Sequence, residues 1–585
     1  MEPCNGLPPQ PMSIMTRSVS KVRDSFRNQP VAHTSSRETM PRAGLWIFVY
    51  TFLTFVTNAY FMADTVDYVA AVYKYDQGIN YVFWDFRHLF WRPLGWVVLH
   101  LVNPFLSAAA RSEPRIVVIY IFLVLNWIAG LFSLFLFRAL LRRFCAQWTI
   151  EFSSVTFVFS FAFLNYVHSG SSYIPGLMFL LLGLYFLSRG VDPGTSNSLQ
   201  YWGPLSLAIS VCLWFPYAFA VPGALVLPLF SPDRNLQRWP LVLRNTAICV
   251  LAGIVAYGAV LAHQGIYTVA GAIQWAGQGA TSVAGVRGFN RAVFGFAHSF
   301  IDMGRDGVLF KRFLLHDPYN PVSLAQLMRL SLWKLAVFYA VLLTILVQLK
   351  RSGKTNVLAI ATVSAAPVLL FALFWFGGDV ERYLPLYPAF FLALGCAVDD
   401  AHHAWIKTLA VIFLLTMVVS NCLALSRYRL QQQQRVVEAR LQPLLPLLKP
   451  SSVVVEVDIH DNLVNFSRSF PLNPINRSSQ FHGYPLLNPG TPQVQHWRED
   501  FAEVVQKTWK ADGDVWISER VLATVPQANW DWIEKADPHL TWNIVYQFFS
   551  PFDFGTASGG SDGFLLLLPT GKNRTIVNSL GRELN

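Results

Sequence analysis

Long apolar runs separated by short polar segments recur along most of this chain. Two of them, 45–62 and 116–137, approach or reach the ~20 residues needed to cross the hydrocarbon core of a bilayer. Further runs lie near 151–167, 173–188, 203–216, 217–231, 243–263, 331–350, 356–376, 383–398 and 405–425. The pattern predicts a polytopic all-α membrane protein with about eleven transmembrane helices.

One more apolar run, 94–110, decides the topology. If it crossed the membrane, Arg138, Arg142 and Arg143 would lie outside; if it does not, they lie inside. Cytoplasmic loops carry an excess of Lys and Arg. We therefore predict that 91–110 is an interfacial or re-entrant segment.

The basic residues between the predicted spans then fall on one side of the membrane throughout. A Ser-, Pro- and Arg-rich tail, 1–42, is predicted to be cytoplasmic and disordered. The transmembrane domain extends over 43–425, with outer loops at 63–114 and 264–330. An odd number of spans places everything after residue 425 outside the cytoplasm, and the plasma or inner membrane is the expected location.

The last part of the chain, 426–585, has a different character. After a polar linker, strands are predicted at 452–457, 514–518 and 563–569, and helices at 500–510 and 527–535. Strands alternating with helices predict a small extracytoplasmic α/β domain. Three Asn-X-Ser/Thr triplets, at Asn465, Asn476 and Asn573, match the glycosylation sequon, which also arises by chance.

Composition agrees with a membrane protein. Only 14% of the residues are charged and 53% are hydrophobic, whereas soluble domains carry about 25% charged residues. The net charge of +11 does not indicate nucleic-acid binding, because the basic residues form short clusters between apolar runs, as in loops that face anionic lipid. The six cysteines show no zinc spacing and no disulfide framework.

Two acidic residues, Asp64 and Asp67, directly follow the first predicted span. A carboxylate near hydrocarbon is costly unless it is paired or functional. Burial would raise its pKa and make it a stronger general base. The alternative is that both are ordinary juxtamembrane acids in water.

Two further segments carry cations at the predicted outer boundary. Arg87, His88 and Arg92 suit a phosphate or its sugar, although snorkelling anchors are an equal alternative. Glu381 and Arg382 open the tenth predicted span. Arg382 could bind a phosphate there, or an internal Glu–Arg pair could close the helix end.

Together these three segments resemble the lipid-linked-sugar glycosyltransferases of the GT-C fold, which include bacterial protein mannosyltransferases and aminoarabinose transferases. The resemblance covers roughly 43–425. Asp64, Asp67 and Tyr68 look like the acidic motif after the first span. The stretch from Arg87 to Gly95 is similar in position to the His/Pro-containing stretch, but has Arg92-Pro93 where the family often has consecutive prolines. Members of the family also usually have an Arg-Tyr-Leu-Pro segment at the start of a late span, and the segment that begins at Arg382 looks like it.

The resemblance implies an inverting transfer of a sugar from a polyprenyl-phosphate donor to an acceptor hydroxyl or amine on the outer face. Asp64 would be the general base, with help from Asp67. Arg92, Arg382, His88 and Arg87 would bind the donor phosphate. Tyr68, Glu381 and Tyr383 would contact substrate. No cofactor is expected. A divalent metal is possible but not required.

Two other classes of function remain open. A multi-span transporter would place its charged site near the bilayer midplane and often show inverted repeats. Here the distinctive charges lie at the outer edge. A non-catalytic membrane assembly protein would use its outer domain for binding, and the sequence does not name the sugar or the acceptor.

Overall fold

A computed structural model shows a helical membrane domain followed by a small unit built on a β-sheet. The described residues are 40–60, 64–76, 83–111, 114–190, 197–230, 238–277, 289–303, 322–330, 332–375, 377–429, 443–449, 451–458, 482–487, 496–522, 539–558 and 563–581, with a few single positions between them. Most of the predicted tail 1–42, parts of the predicted outer loop 264–330 and all of the predicted helix 527–535 lie outside these residues.

The membrane domain contains eighteen labelled α-helices among the described residues. They are α1 Met40–Val56, α2 Thr65–Asp76, α3 Trp91–Val102, α4 Ala108–Arg111, α5 Pro114–Leu141, α6 Gln147–Val158, α7 Phe161–Tyr166, α8 Tyr173–Gly190, α9 Asn197–Leu213, α10 Val221–Leu225, α11 Arg238–His263, α12 Val269–Gly277, α13 Phe289–Phe300, α14 Leu324–Leu330, α15 Leu332–Arg351, α16 Thr355–Phe374, α17 Tyr387–Asp399 and α18 Ala404–Leu425. Short 3-10 helices are Phe86–His88, Asn103–Phe105, Phe215–Phe219, Leu227–Phe230, Val380–Leu386 and Leu445–Leu447.

Six of these helices are long and apolar enough to cross a membrane. They are α5, α8, α11, α15, α16 and α18. With the shorter apolar helices beside them, they confirm a polytopic all-α membrane domain. The helix α3 has 12 residues, too few to cross ~30 Å, which agrees with a segment that does not span the membrane.

The other five predicted spans are helical but short or interrupted. The span predicted at 151–167 is α6 and α7, separated by a break at Ser160, whose backbone is extended. The span at 217–231 divides into α10 and two 3-10 helices, with Pro222 and Pro228 inside. Proline lacks the N–H needed to continue a helix. The span at 383–398 begins as a 3-10 helix that contains Pro385 and continues as α17.

Buried polar groups stabilise these interruptions. Asn421 on α18 donates from its amide nitrogen to the carbonyls of Phe159 (2.6 Å) and Phe300 (2.8 Å). Its oxygen accepts from the backbone N–H of Asp302 at 2.6 Å. One side chain thus satisfies backbone groups at the ends of both α6 and α13, which would otherwise be unpaired inside the membrane.

The fully buried Arg138 near the end of α5 is paired in two ways. Its guanidinium donates to both carboxylate oxygens of Glu151, at 2.7 and 2.9 Å. It also lies 4.7 Å from the ring centroid of Trp46. Bidentate pairing of this kind offsets the large cost of removing a charge from water, and it joins α1, α5 and α6.

The C-terminal unit is a five-stranded mixed sheet with helices. Its strands are β1 Val453–Asp458, β2 His482–Leu487, β3 Val515–Ser518, β4 Phe554–Ser558 and β5 Phe564–Leu567, in the order β2-β1-β3-β5-β4. Its helices among the described residues are α19 Trp497–Lys510, α20 Trp542–Phe549 and α21 Gly571–Gly581. β1 pairs in parallel with β2 and β3, whereas β5 is antiparallel to β3 and β4.

This arrangement confirms a small α/β unit and adds two strands, β2 and β4, that were not predicted. Both contain Gly, and β2 also contains Pro485, residues that are depleted in strands. The Asn573 sequon is a poor glycan acceptor in this fold. Its amide nitrogen is buried and donates to the carbonyls of Asp553 and Leu568, each at 2.8 Å.

Candidate functional site

The carboxylate of Asp64 lies just before α2 and is the centre of a dense polar cluster. It accepts hydrogen bonds from the hydroxyl of Tyr173 at 3.1 Å and of Tyr68 at 3.3 Å. The Nε2 atom of His88 lies 3.4 Å from the same oxygen. His88 is itself buried, and its Nδ1 is 2.8 Å from the hydroxyl of Ser172.

The turn between α7 and α8 fixes this cluster in place. Thr65 at the start of α2 donates to the carbonyl of Ser169 at 2.6 Å, and the indole of Trp91 donates to the carbonyl of Gly170 at 3.1 Å. Gly170 has a φ of +73°, and a Cβ there would lie 3.0 Å from Thr65 and 3.1 Å from Phe122. Glycine is therefore required both by backbone conformation and by space.

A group of two arginines and one acid follows along the first outer loop. Asp85 caps the 3-10 helix that carries Arg87 and His88, accepting from the backbone N–H of Arg87 at 2.7 Å. Its carboxylate lies 3.1 Å from Arg92 and 3.6 Å from Arg87. Arg92 also sits over the ring of Tyr68, 5.5 Å from the centroid. The arginines are thereby held beside the Asp64 cluster.

The segment at the start of the tenth predicted span supplies the other half of the site. Arg382 pairs with Asp379 at 3.7 Å and lies 5.9 Å from the ring centroid of Trp214. Glu381 accepts from the hydroxyl of Tyr166 at 2.7 Å. Arg382 therefore has an acidic partner close in sequence, but the partner is Asp379 and not Glu381, which the alternative interpretation had paired with it.

Two tyrosines connect the halves. The ring of Tyr166 packs edge-to-face on that of Tyr173 with centroids 4.9 Å apart. Tyr166 binds Glu381 and Tyr173 binds Asp64, so the acid after the first span and the Arg382 segment share one site. The negative charge of Asp64 also acts on Arg382 across the site, more weakly than the charges of Glu381 and Asp379.

This site is open at its centre. The side chains of Asp64 and Asp379 each keep 40% of their surface accessible, whereas that of Arg382 keeps 14%. Both carboxylates can therefore be reached from solvent, beside the more enclosed guanidinium of Arg382, and this partly open site is called the Asp64 cleft below.

The charges around Asp64 change its acidity in a direction opposite to expectation. Partial burial raises its pKa, but the hydrogen bond from His88 and the electrostatic effects of His88 and Arg87 outweigh this, and the net pKa is well below its ordinary value. Asp64 is thus ionised at neutral pH. It is a weaker base than burial alone would have made it.

Asp379 shows the opposite effect. Burial and the neighbouring charge of Glu381 raise its pKa to about 7, against the effect of Arg382. Arg291, on α13 in the second predicted outer loop, also acts on Asp379 electrostatically. The Asp379 carboxylate consequently changes its charge near neutral pH, and with it the strength of its pairing to Arg382.

Two other predicted site residues have more peripheral positions. The side chain of Asp67 is exposed on α2. Tyr383 is buried, and its hydroxyl donates to the carbonyls of Ala292 and Gly377 at 2.8 and 2.7 Å. Tyr383 thus joins α13 to the turn that precedes Arg382. Their predicted roles, catalysis for Asp67 and substrate contact for Tyr383, stay predictions.

Sequence reasoning assigned no role in the site to several residues that complete it. They are Asp85, Tyr166, Ser172, Tyr173, Trp214, Arg291 and Asp379. A usable signal was the polar turn 167–172, which joins two predicted spans at the same membrane boundary as the acidic motif. Within the described part of the chain, no group of three or more His, Cys, Asp or Glu side chains could hold a metal ion.

No protein-family profile and no curated protein matches this chain. Its fold is similar to that of ArnT from Cupriavidus metallidurans bound to undecaprenyl phosphate, with a TM-score of 0.48 and 10% identity, over 91% of this chain and 98% of that one. It is also similar to the archaeal oligosaccharyltransferase AglB from Archaeoglobus fulgidus, in complex with an inhibitory peptide and a dolichol-phosphate. The TM-score there is 0.44 at 10% identity, over 91% of this chain and 76% of that one.

Proposed function

We propose that this protein is a membrane glycosyltransferase that moves a sugar from a polyprenyl-phosphate donor to an acceptor hydroxyl or amine on the outer face of the membrane. The observation that carries the proposal is the connected cleft of Asp64 and Arg382, bridged by Tyr173 and Tyr166. It combines an accessible carboxylate with several arginines at the end of apolar helices, where a lipid phosphate would emerge.

The arginines are suited to bind the donor phosphate. Arg382 and Arg87 are paired with acids at 3.7 and 3.6 Å, longer than a good charge-assisted hydrogen bond of about 2.7–2.9 Å. Within the described residues, the Nε atoms of both are buried without a hydrogen-bond partner. A phosphate can accept several such donors, and the arginines would stabilise the charge that grows on it as the sugar departs.

Asp64 is suited to act on the acceptor. The acceptor oxygen or nitrogen attacks the anomeric carbon and the bond from that carbon to the phosphate oxygen breaks. The acceptor proton passes to Asp64, and the electron pair leaves with the lipid phosphate. Attack from the side opposite the leaving group inverts the anomeric centre. Tyr173, Tyr68 and His88 would hold the carboxylate in position through the transfer.

The direction of the site follows from the distribution of basic residues. Arg138, Arg142 and Arg143 lie at the end of α5 remote from Asp64, and Lys350 and Arg351 end α15. The positive-inside tendency places these ends in the cytoplasm. The cleft, the second outer loop and the C-terminal unit would then face outside.

Release of polyprenyl phosphate tests the proposal without knowledge of the acceptor. Native membranes containing the protein would be given a set of polyprenyl-phosphate sugars, with cell-envelope extract as the acceptor source. We expect release with at least one sugar above the level of membranes without the protein. Movement of intact donor across the bilayer with no release would favour a transporter and refute the transferase.

A further inference from the structure

Two cysteines far apart in the sequence meet at the end of the membrane domain remote from Asp64. Cys145 lies in the turn between α5 and α6, and Cys396 lies on α17. Their sulfur atoms are 3.9 Å apart, across 251 positions of sequence. A disulfide has a sulfur–sulfur distance of about 2.05 Å, so a closure of roughly 2 Å would form the bond.

The backbone around the pair is held firmly in register. Asp399, at the end of α17, accepts from the hydroxyl of Thr149 at 2.9 Å and from the N–H of Ala146 at 3.3 Å. A Cβ added at Gly395 would lie 3.2 Å from the sulfur of Cys145. The turn and α17 therefore approach closely on both sides of the thiols, which favours a bond within the existing fold.

The two thiols differ in access. Cys145 is partly exposed, whereas Cys396 is buried. The hydrogen bond with Cys396 and burial raise the pKa of the Cys145 thiol, and the nearby positive charge of Lys354 opposes that rise. An incoming reagent would meet Cys145 first and leave Cys396 as an internal partner already in contact. This division of roles is the usual requirement for efficient disulfide formation.

We propose that Cys145 and Cys396 are a thiol modification site that takes small-molecule disulfides. The sulfur of Cys145 attacks the reagent, forms a mixed disulfide and releases one small thiol. Cys396 then attacks Cys145, forms the internal disulfide and releases the second small thiol. Two protein thiols are oxidised and one disulfide reagent is reduced. On the predicted orientation the pair faces the cytoplasm, where reducing conditions keep it as thiols at rest.

The closed bond would join the α5–α6 turn to the end of α17. The helix α17 continues directly from the 3-10 helix that carries Arg382. The modification would therefore restrain one end of an element whose other end lies in the Asp64 cleft. This inference concerns thiol chemistry and does not depend on the proposed transferase.

The test treats the full-length protein in membranes with oxidised glutathione. Free thiols are then counted by a maleimide mass tag after denaturation, and glutathione adducts are located by mass spectrometry. We expect the protein without substitutions to lose two free thiols together. The peptide that contains Cys145 should then be cross-linked to the peptide that contains Cys396. Cys396→Ser should instead retain a glutathione adduct on Cys145, and in Cys145→Ser the Cys396 thiol should persist.

The control variant is Cys422→Ser, which removes another partly buried thiol on α18 and should leave the cross-link intact. Oxidation should also raise the melting temperature of the unmodified sequence and not that of Cys145→Ser, since a closed long loop restricts the unfolded chain. A stable adduct on Cys145 in the presence of Cys396, or no reaction at either thiol, would overturn the proposal.

Discussion

Replacement of Asp64 by Asn is the sharpest test of the proposed chemistry. Asparagine keeps the shape of the side chain and can still accept from Tyr173, which lies 3.1 Å away. It has no negative charge and cannot take a proton. The change therefore removes the proposed base while disturbing the packing little.

The size of the loss follows from the surroundings of the carboxylate. General-base assistance contributes ~10²–10⁴-fold to a rate. The pKa of Asp64 is lowered by His88 and Arg87, so its driving force for proton transfer is small. We therefore expect a fall in kcat in the lower part of that range, about 10²–10³-fold. This corresponds to roughly 3–4 kcal/mol in the activation barrier.

The assay measures polyprenyl phosphate released from the donor in native membranes, at saturating donor. Asp76→Asn is the matched control, because Asp76 ends α2, the helix that Asp64 precedes, and its exposed carboxylate pairs with His100 at 3.3 Å. It should change kcat less than about threefold, as expected of a surface pair. If Asp64→Asn retains the kcat of the control, Asp64 is not the base and the proposed mechanism is refuted.

Three further outcomes are expected. Arg382→Ala should raise the donor KM roughly 10- to 100-fold, since a hydrogen bond to a charged group contributes about 1.5–3 kcal/mol. Arg351→Ala, which changes an exposed arginine, is the control. If Arg382→Ala has the same donor KM as this control, Arg382 does not bind the donor phosphate. The folded-state pKa of Asp379 is raised from 3.8 to about 7, so its stabilising proton is lost as pH rises through that interval. The melting temperature of the protein without substitutions should therefore fall more steeply between pH 4 and 7 than that of Asp379→Asn. Parallel curves of melting temperature against pH for the two proteins would contradict this. Arg138→Met should reduce the free energy of unfolding by roughly 2–3 kcal/mol, less than the 3–5 of a fully buried pair because Glu151 is partly exposed; an unchanged chemical-denaturation midpoint would contradict it.

The positions of the spans could be predicted because hydropathy is a local property of the chain. Every predicted span coincides with helical structure, and the short helix α3 was separated from them by the placement of Arg138 and its neighbours. The breaks were harder to predict. The predicted span 151–167 breaks at Ser160, and the carbonyl of Phe159 beside the break accepts a hydrogen bond from Asn421, which is far away in the sequence.

The candidate site was predictable only in its charged members. Asp64, His88 and Arg382 stand out because charges are rare beside long apolar runs. Tyr166 and Tyr173 do not, since tyrosine is common at membrane boundaries. Their importance arises from the turn that brings α7 and α8 together. The lowered pKa of Asp64 likewise depends on Arg87 and His88 approaching it in space.

Asn421 also bears on the order in which the molecule is made. It belongs to α18, the last long apolar helix among the described residues, yet its amide serves the ends of α6 and α13. Until α18 has been synthesised, the backbone groups at those ends lack the hydrogen bonds from Asn421 and need other partners. Final compaction of the earlier helices therefore follows synthesis of the last one, so a chain truncated before residue 421 should insert but remain loosely packed.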